Sequence, residues 1–460
     1  MTKFTVQAFF VTLLCVTVLY GCINSHSSDN HEITTISIWH PNTHAKKYFE
    51  EKVAEYNETT GRKKGIKIQY ECKPNLVNLM PASLADGTAP DIVMELSDMA
   101  TQQAAEKGQI VALNDIPGGQ EIIDKYEDYI YPNGFDNKTY KVPYHVYTRA
   151  LIYNKDMFKA AGIVDENGEP TPPTTYDEVA EYAKRLTNPD KNQYGIIIPV
   201  KWIVWSNEWF GVLMNSTGSR GYDPKTGTYD YSCIRPLAEM YYKIKANGSY
   251  MPGAESLDLD PARACFAEGN IGMKFSMSYD VGVLTDQFPA KCDWGVAQLP
   301  FVDENIKYMQ DAQVNQFACV NAKSVEEKGA DKILEVYKWF ISDEIMKDMY
   351  KKGYFIPILY DTIKDIPVNE IEAPKQWIDY GNLLKISVNS PAEMPRDYGD
   401  DLHHSKCIRA YLWTQKWTVD EVIDYINRAS ADGIVRYKEK HPGFNGDVYI
   451  KKDWDVTRKD

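Results

Sequence analysis

Positive charge is in short supply in this sequence. It sets 51 basic residues against 65 acidic ones, for a formal net charge of −14. A surface of that sign repels phosphate backbones, which argues against a nucleic-acid partner and disfavours a mainly anionic ligand. After residue 20 no long apolar run occurs, so no later segment offers the about 20 apolar residues that span a bilayer. The eight cysteines form no Cys-x-x-Cys pair, and the eight histidines show no ligand spacing beyond His403-His404, which a solvated loop explains as well as a metal does. No Gly-x-Ser-x-Gly elbow is present to suggest a serine hydrolase. Internal repeats and low-complexity tracts are missing as well.

What is present begins at the amino terminus. Lys3 precedes an apolar run from Phe9 to Tyr20, which has the length of a signal-peptide core and is too short to cross a membrane comfortably. The run ends in Leu19-Tyr20-Gly21-Cys22. This resembles the bacterial lipobox, although Tyr20 stands where a small residue is usual. Residues 1–21 are thus expected to be a signal peptide. Cys22 is the expected lipidation site, and residues 22–32 form its polar tether. Ordinary secretion with cleavage nearby is the alternative. Either route leads to the extracytoplasmic face, as a lipid-anchored protein of the cell membrane or a protein of the periplasm. The mature part holds Cys72, Cys233, Cys265, Cys292, Cys319 and Cys407. Six could make three disulfides in an oxidising compartment, but apolar settings such as Phe317-Ala-Cys-Val320 favour buried free thiols.

The mature chain alternates strands and helices. Ile36-Ser-Ile-Trp39 and Ile66 to Tyr70 alternate like strands, and Ala45, Phe49, Val53 and Tyr56 recur at helical spacing between them. Leu76 to Leu84 predicts a helix and Asp91 to Leu96 a third strand. A second region follows from Tyr144, with strands at Ala150–Tyr153, Tyr194–Pro199 and Ile271–Phe275. Thr175-Tyr-Asp-Glu178 and Thr418-Val-Asp-Glu421 are capping boxes that open helices, the second running to about Ala429. Such alternation predicts an α/β architecture with parallel sheets covered by helices. Ligands of these sheets sit at the carboxyl ends of the strands, where Trp39, His40, Ser97 and Asp98 fall.

Several segments together resemble the family 1 extracellular solute-binding proteins of ABC sugar importers, the maltose-binding type. They are Gly87-Thr-Ala-Pro-Asp-Ile-Val-Met94, Lys107 to Leu113, Tyr140-Lys-Val-Pro-Tyr144, Leu151 to Phe158, Pro172 to Val179 and Phe266-Ala-Glu-Gly-Asn-Ile-Gly-Met273. The resemblance runs from about Ile36 to Pro357. It implies a two-lobed periplasmic-binding-protein fold of type II, with a helix-flanked, mostly parallel sheet in each lobe. Crossings are implied near Val142, near Pro300 and after Ile345. Lobe 1 is then expected over 33–142 and 293–345, and lobe 2 over 143–292 and 346–460. The implied mechanism is closure of the lobes on a solute, followed by delivery to a membrane permease. Closure is favourable only where the ligand binds the two lobes together better than either alone.

A neutral sugar is held by aromatic platforms and planar hydrogen-bonding groups, and this chain has 10 Trp and 32 Tyr. The candidate ligand residues are Trp39, His40 and Asp98 from the first lobe and Tyr144 at the crossing. Trp205, Glu208 and Trp209 follow, on a segment where Trp202, Trp205 and Trp209 recur at spacings that share a helix face. Such a stripe is either buried core or a cleft wall. Tyr279 and Asp280 come after the Gly-Met strand, where the family often carries tryptophan. Tyr354 and Phe355 complete the wall. No cofactor is expected and no metal ligands are assigned, with a structural metal left open by the sequence; the protein is expected to be monomeric.

Three other functions stay open on the sequence. An exported glycan hydrolase needs only two suitably spaced carboxylates. A binder of a polyamine or peptide would suit the negative charge, since aromatic boxes with carboxylates also hold cations. A surface adhesin with an inactive cleft would share the fold.

Overall fold

The computed structural model describes residues 33–130, 136–202, 205, 209–215, 217, 219–302, 310–388 and 391–455. Two principal sheets organise the chain. The first has the order β2-β1-β3-β14-β4, with β1 Thr34–His40, β2 Ile66–Cys72, β3 Ile92–Met94, β4 Ile110–Val111 and β14 Ala318–Asn321. β1 runs parallel to β2 and β3, and β14 is antiparallel to β3 and β4. The second has the order β11-β6-β10-β7, with β6 Arg149–Asn154, β7 Tyr194–Ile197, β10 Ile271–Met277 and β11 Trp294–Ala297. It is mixed, because β6 is antiparallel to both neighbours while β10 and β7 are parallel.

A third sheet, β13-β5-β15, joins them. It is built from β5 Pro143–Tyr147, β13 Gln313–Gln316 and β15 Ile356–Pro357. One residue, Thr148, separates β5 from β6, and one residue, Phe317, separates β13 from β14. Two strands therefore pass straight from the joining sheet into the principal sheets. Small two-stranded ribbons pair β8 Tyr222–Asp223 with β9 Thr228–Tyr229, and β12 Gln310–Asp311 with β16 Ser387–Val388.

Two expected boundaries lie elsewhere in the structure. The sequence pattern puts the return to the first lobe at Asp293, but β11 pairs with β6 from Trp294↔Asn154 to Ala297↔Leu151 and so completes the second sheet. The sequence Trp-Gly-Val-Ala satisfies any edge partner, so its own pattern does not say which sheet it joins. Nor does the first lobe end at Ile345. The helix Asp343–Lys351 still packs there, with Lys52 3.5 Å from Asp348 and Tyr48 5.4 Å from Tyr354.

Local chemistry explains these elements. Asp91, buried just before β3, accepts from the Ser37 amide at 2.6 Å and hydroxyl at 2.8 Å, and from Lys328 Nζ at 2.8 Å. It thereby fixes the register of β1, β3 and the helix Ala322–Lys328 at once. The capping box at Thr175 forms, with the hydroxyl and the Glu178 carboxylate each satisfying a backbone donor. The helix that follows, Tyr176–Leu186, crosses β7 so closely that a Cβ on Gly195 would meet the Ala183 carbonyl oxygen at 2.0 Å. Gly195→Ala is expected to force helix and strand apart and to destabilise the fold by about 1–3 kcal/mol, read as a lower urea midpoint at unchanged slope. All six mature cysteines carry free thiols, with Cys319 and Cys407 buried. Among the described residues no helix is long and apolar enough to cross a membrane.

Candidate functional site

The site is built where the carboxyl ends of the first sheet meet the joining sheet and the second lobe. β3 ends at Met94, and the next residue, Glu95, takes φ 61°. A non-glycine residue in the left-handed region costs of order 1 kcal/mol or more and is found where surrounding structure imposes it, often at functional positions. Glu95 is open to solvent. Although the side chain reaches solvent, the protein packed around its carboxyl removes part of its hydration and raises its pKa, against the pull of the Lys141 ammonium. The same carboxylate raises the pKa values of Tyr144 and Tyr147 in β5, in each case after the larger effect of burial. Glu95 is thus within electrostatic reach of the joining sheet.

From Glu95 the site continues into the second lobe. Tyr147, half-buried at the end of β5, meets Tyr279 edge-on at 5.1 Å. Tyr279 follows β10 and lies over the Arg263 guanidinium at 5.1 Å. Arg149, the first residue of β6, acts electrostatically on Tyr279 and lies 5.7 Å from the Trp209 ring. Trp209 stacks on Trp205 at 6.1 Å, and both rings pack against Phe275. Neither Trp205 Nε1 nor Trp209 Nε1 has a hydrogen-bond partner among the described residues. A buried indole N–H ordinarily finds one, so these two donors are spare capacity beside the site. The arrangement supplies an acceptor, Glu95, two half-buried tyrosine rings and a guanidinium along one line between the lobes. That set can stack a flat apolar face and bind hydroxyls at its edge.

The residues expected from sequence divide into three groups. Tyr279, Trp205 and Trp209 belong to this line, with the tryptophans buried in a cluster that also includes Trp413. Trp39 lies at the end of β1, half-buried, its face covered by Lys73 Nζ at 3.3 Å from the centroid. Asp98 opens the helix Asp98–Glu106, with its side chain 94% exposed and paired to Lys141 Nζ at 2.9 Å. Ser97, not Asp98, caps that helix, accepting from the Ala100 amide.

A second group has other work. His40 is buried, with Phe49 at 4.6 Å and Phe355 at 6.5 Å. Phe355 is buried too and stacks on His145 at 4.0 Å and 8°. Tyr144 is buried against His145 and Phe317. These rings fill the joint beneath the site, because the joining sheet has too few strands to bury its own face. Tyr354 packs on Tyr48, on the first lobe.

Asp280 departs furthest from expectation. It is buried and accepts from Arg263 Nε at 2.8 Å, Lys274 Nζ at 2.9 Å and Ser276 Oγ at 2.6 Å, with a further bond from Arg263 Nη2. Burial works to raise its pKa, but Lys274, Arg263 and the Ser276 bond outweigh it and hold the carboxyl below its usual range. Its oxygens accept from side chains within the protein, one residue after Tyr279. Glu208 and Cys22 lie outside the described residues. Sequence reasoning places Tyr147 beside Tyr144 at the crossing, in either hinge packing or ligand contact, but does not single out Glu95 or Arg149. The signal for Glu95 was available, as an acid placed directly after the apolar run Ile92-Val-Met94 at a strand's carboxyl end.

Residues 40–347 match the family described as bacterial extracellular solute-binding protein. A maltotriose-binding protein from Pyrococcus abyssi is 24% identical over 65% of this chain, an alignment that spans 61% of that relative's length. An sn-glycerol-3-phosphate-binding periplasmic protein from Brucella abortus is 26% identical over 76% of this chain and 80% of its own. Among solved structures, the sugar-binding protein MalE from Xanthomonas citri superposes with a TM-score of 0.68 at 14% identity, covering 90% of this chain and all of that one. The cyclic alpha-maltosyl-1,6-maltose binding protein from Arthrobacter globiformis gives 0.66 at 17% identity, covering 88% and 99%. The shared fold is the two-lobed one.

Proposed function

The chain belongs to the bacterial extracellular solute-binding protein family, and from that premise we propose that it captures a carbohydrate, an oligosaccharide, between its lobes and delivers it to the permease of an ABC importer without catalysing any reaction. The observation that carries this reading is the line Glu95, Tyr147, Tyr279, Arg149. It puts rings and hydrogen-bonding groups from the first lobe, the joint and the second lobe beside one another. A ligand seated there touches both lobes, which is the condition for ligand-driven closure. Tyr279 stacks a sugar face, Glu95 accepts from hydroxyls, and the buried tryptophans back the wall. Relatives named for maltotriose and for sn-glycerol 3-phosphate bracket the ligand class. The carboxylate of Glu95, which makes no ion pair among the described residues, and the net charge of −14 favour the neutral sugar of the two. Lobe 1 in this reading is the unit around the first sheet and lobe 2 the unit around the second. Cys22 carries the lipid that tethers the protein, as a monomer, to the outer face of the membrane.

A thermal-shift screen of oligosaccharides, polyamines and sn-glycerol 3-phosphate tests the ligand class. A solute bound only by the native state stabilises by about 2.7 kcal/mol at a hundred times its Kd, so the true ligand raises the melting temperature clearly. The expected result is a shift with a neutral oligosaccharide, accompanied by compaction in small-angle scattering. Stabilisation by a polyamine with none from any sugar would sink the carbohydrate reading. Turnover of a glycan would sink the binding-only one.

A further inference from the structure

The histidine pair His403-His404 does not lie in a solvated loop. Both residues are half-buried, and their ring centroids are 4.0 Å apart. His403 caps the helix His404–Cys407. Its Nδ1 accepts from the Ser405 amide at 3.3 Å, and Ser405 Oγ lies 2.7 Å from the same nitrogen. His404 Nδ1 lies 3.1 Å from Tyr398 Oη. The Tyr398 ring is 4.9 Å from that of His403, and the Tyr231 ring is 5.4 Å from that of His404. Helices are ordinarily capped by the oxygens of Ser, Thr, Asp or Asn. An imidazole nitrogen caps only while it carries no proton, because imidazolium has no acceptor left.

The surroundings disfavour that proton. Arg396, its side chain 7% exposed, donates to Tyr231 Oη at 2.9 Å and lies 5.4 Å from the Tyr398 ring. Its guanidinium thus stands one ring away from each histidine, and Lys406 follows on the capped helix. The carboxylates of this region have partners already. Glu393 accepts from Arg396 Nη2 at 3.1 Å, Asp401 accepts from Arg436 Nη2 at 2.9 Å, and Asp397 pairs with Lys440. The other polar neighbours are phenols, Tyr229 under Arg396 and Tyr425, whose hydroxyl accepts from the Leu402 amide at 2.8 Å. Burial, Arg396 and Lys406 together lower the pKa of His403 against the pull of Glu393, and burial, His403 and Arg396 lower that of His404.

The capped helix leads to the solute site. It passes directly into the turn Ile408–Leu412, and Cys407, Ile408 and Leu412 are fully buried. The next residue, Trp413, packs against Trp205 at 6.4 Å, Phe210 at 5.0 Å and Tyr241 at 4.6 Å. One continuous segment therefore joins the histidine cap to the tryptophans behind the site. We propose that His403 and His404 form a pH-sensitive cap, in which a proton taken up by either ring releases the segment from His404 to Trp413 and with it the order of the tryptophan wall. Both native histidines titrate below the free imidazole value near about 6.5. The stabilisation they give is therefore complete above that value and is lost as pH falls below it. The segment lies beyond residue 347, where the family match ends. Its effect on capture rests on the reading of Trp205 and Trp209 as the wall of the solute site.

Hydrogen exchange of the ligand-free full chain, corrected for the intrinsic exchange rate and followed over residues 404–413, tests the cap, with tryptophan emission recorded alongside. Between about pH 7.5 and about pH 5, wild type is expected to lose protection there about tenfold or more, since each histidine favours the open segment by up to about 30-fold over that range. Its tryptophan emission should shift to the red. His403→Asn supplies a capping oxygen that does not titrate, and combined with His404→Gln it should hold protection within about twofold across the same range. His403→Asn alone keeps one titrating ring and is expected to fall between the two, so the comparison survives if the double variant does not fold. Protection that stays constant in wild type, or that falls equally in the variants, would overturn the cap. Protection lost with unchanged emission would overturn its link to the tryptophans. No ligand enters these measurements, so failure of the carbohydrate reading would show separately, in the thermal-shift screen.

Discussion

Asp280→Ala is expected to lower the unfolding free energy by about 3–5 kcal/mol, measured by urea denaturation. The carboxylate sits between Arg263 and Lys274, and Lys274 is buried as deeply as Asp280 itself. Removing the acid leaves two cations out of water with their counter-charge gone, which is the costly way to break a buried pair. Replacing Lys274 by methionine in the same chain should recover part of the loss, since the remaining charge imbalance is smaller. The pH dependence follows from the depressed native pKa of Asp280. Its ionised form contributes fully above the ordinary carboxyl value near about 3.9, and that contribution is lost as pH falls through the lower native value. The Asp280→Ala protein should therefore show a shallower loss of stability below pH 4 than wild type. A variant as stable as wild type would mean that the network does not hold the second lobe together.

Glu95 is predicted to behave in the opposite way. Glu95→Gln keeps the shape of the side chain and removes only the charge. It should leave stability unchanged while raising the Kd of the bound sugar about 10- to 150-fold, the equivalent of losing charge-assisted hydrogen bonds worth about 1.5–3 kcal/mol. Glu95→Gly goes further. The native φ of 61° suits glycine, so this change relieves backbone strain while deleting the acceptor, and it should bind poorly yet unfold at the same or a slightly higher urea concentration. Stability held or gained with affinity lost is the signature of strain kept for function. Wild-type affinity in both variants would remove Glu95 from the site.

Much of the fold was legible because it rests on local pattern. Ile36-Ser-Ile-Trp39 alternates and became a strand, and both capping boxes formed as written. The return point was not legible, since β11 has an apolar face that either sheet could accept. The last helix also outruns its sequence pattern. It was expected to stop near Ala429 and runs to Lys440. Gly433 lies inside it because a Cβ there would approach Arg396 Cβ and the Asp397 carbonyl, both at 3.2 Å, so the glycine marks a crowded crossing and not a stop. The site was legible in its aromatic content but less so in its polar members. Asp280 and Asp98 are both acids just past a strand, and sequence treats them alike. Burial and counter-charge separate them: one is locked beneath the surface by Arg263, Lys274 and Ser276, and the other is almost wholly in water.

The placement of β14 has a consequence for how the chain reaches this state. That strand fills the position between β3 and β4 in the first sheet, yet it is made only after every strand of the second sheet. Until it arrives, β3 and β4 present bare edges, and the first lobe cannot finish folding however long it waits. Long-range pairing of this kind slows folding. Under the export proposed from residues 1–22, that delay would be useful, because the half that emerges first would be held open until the rest had followed.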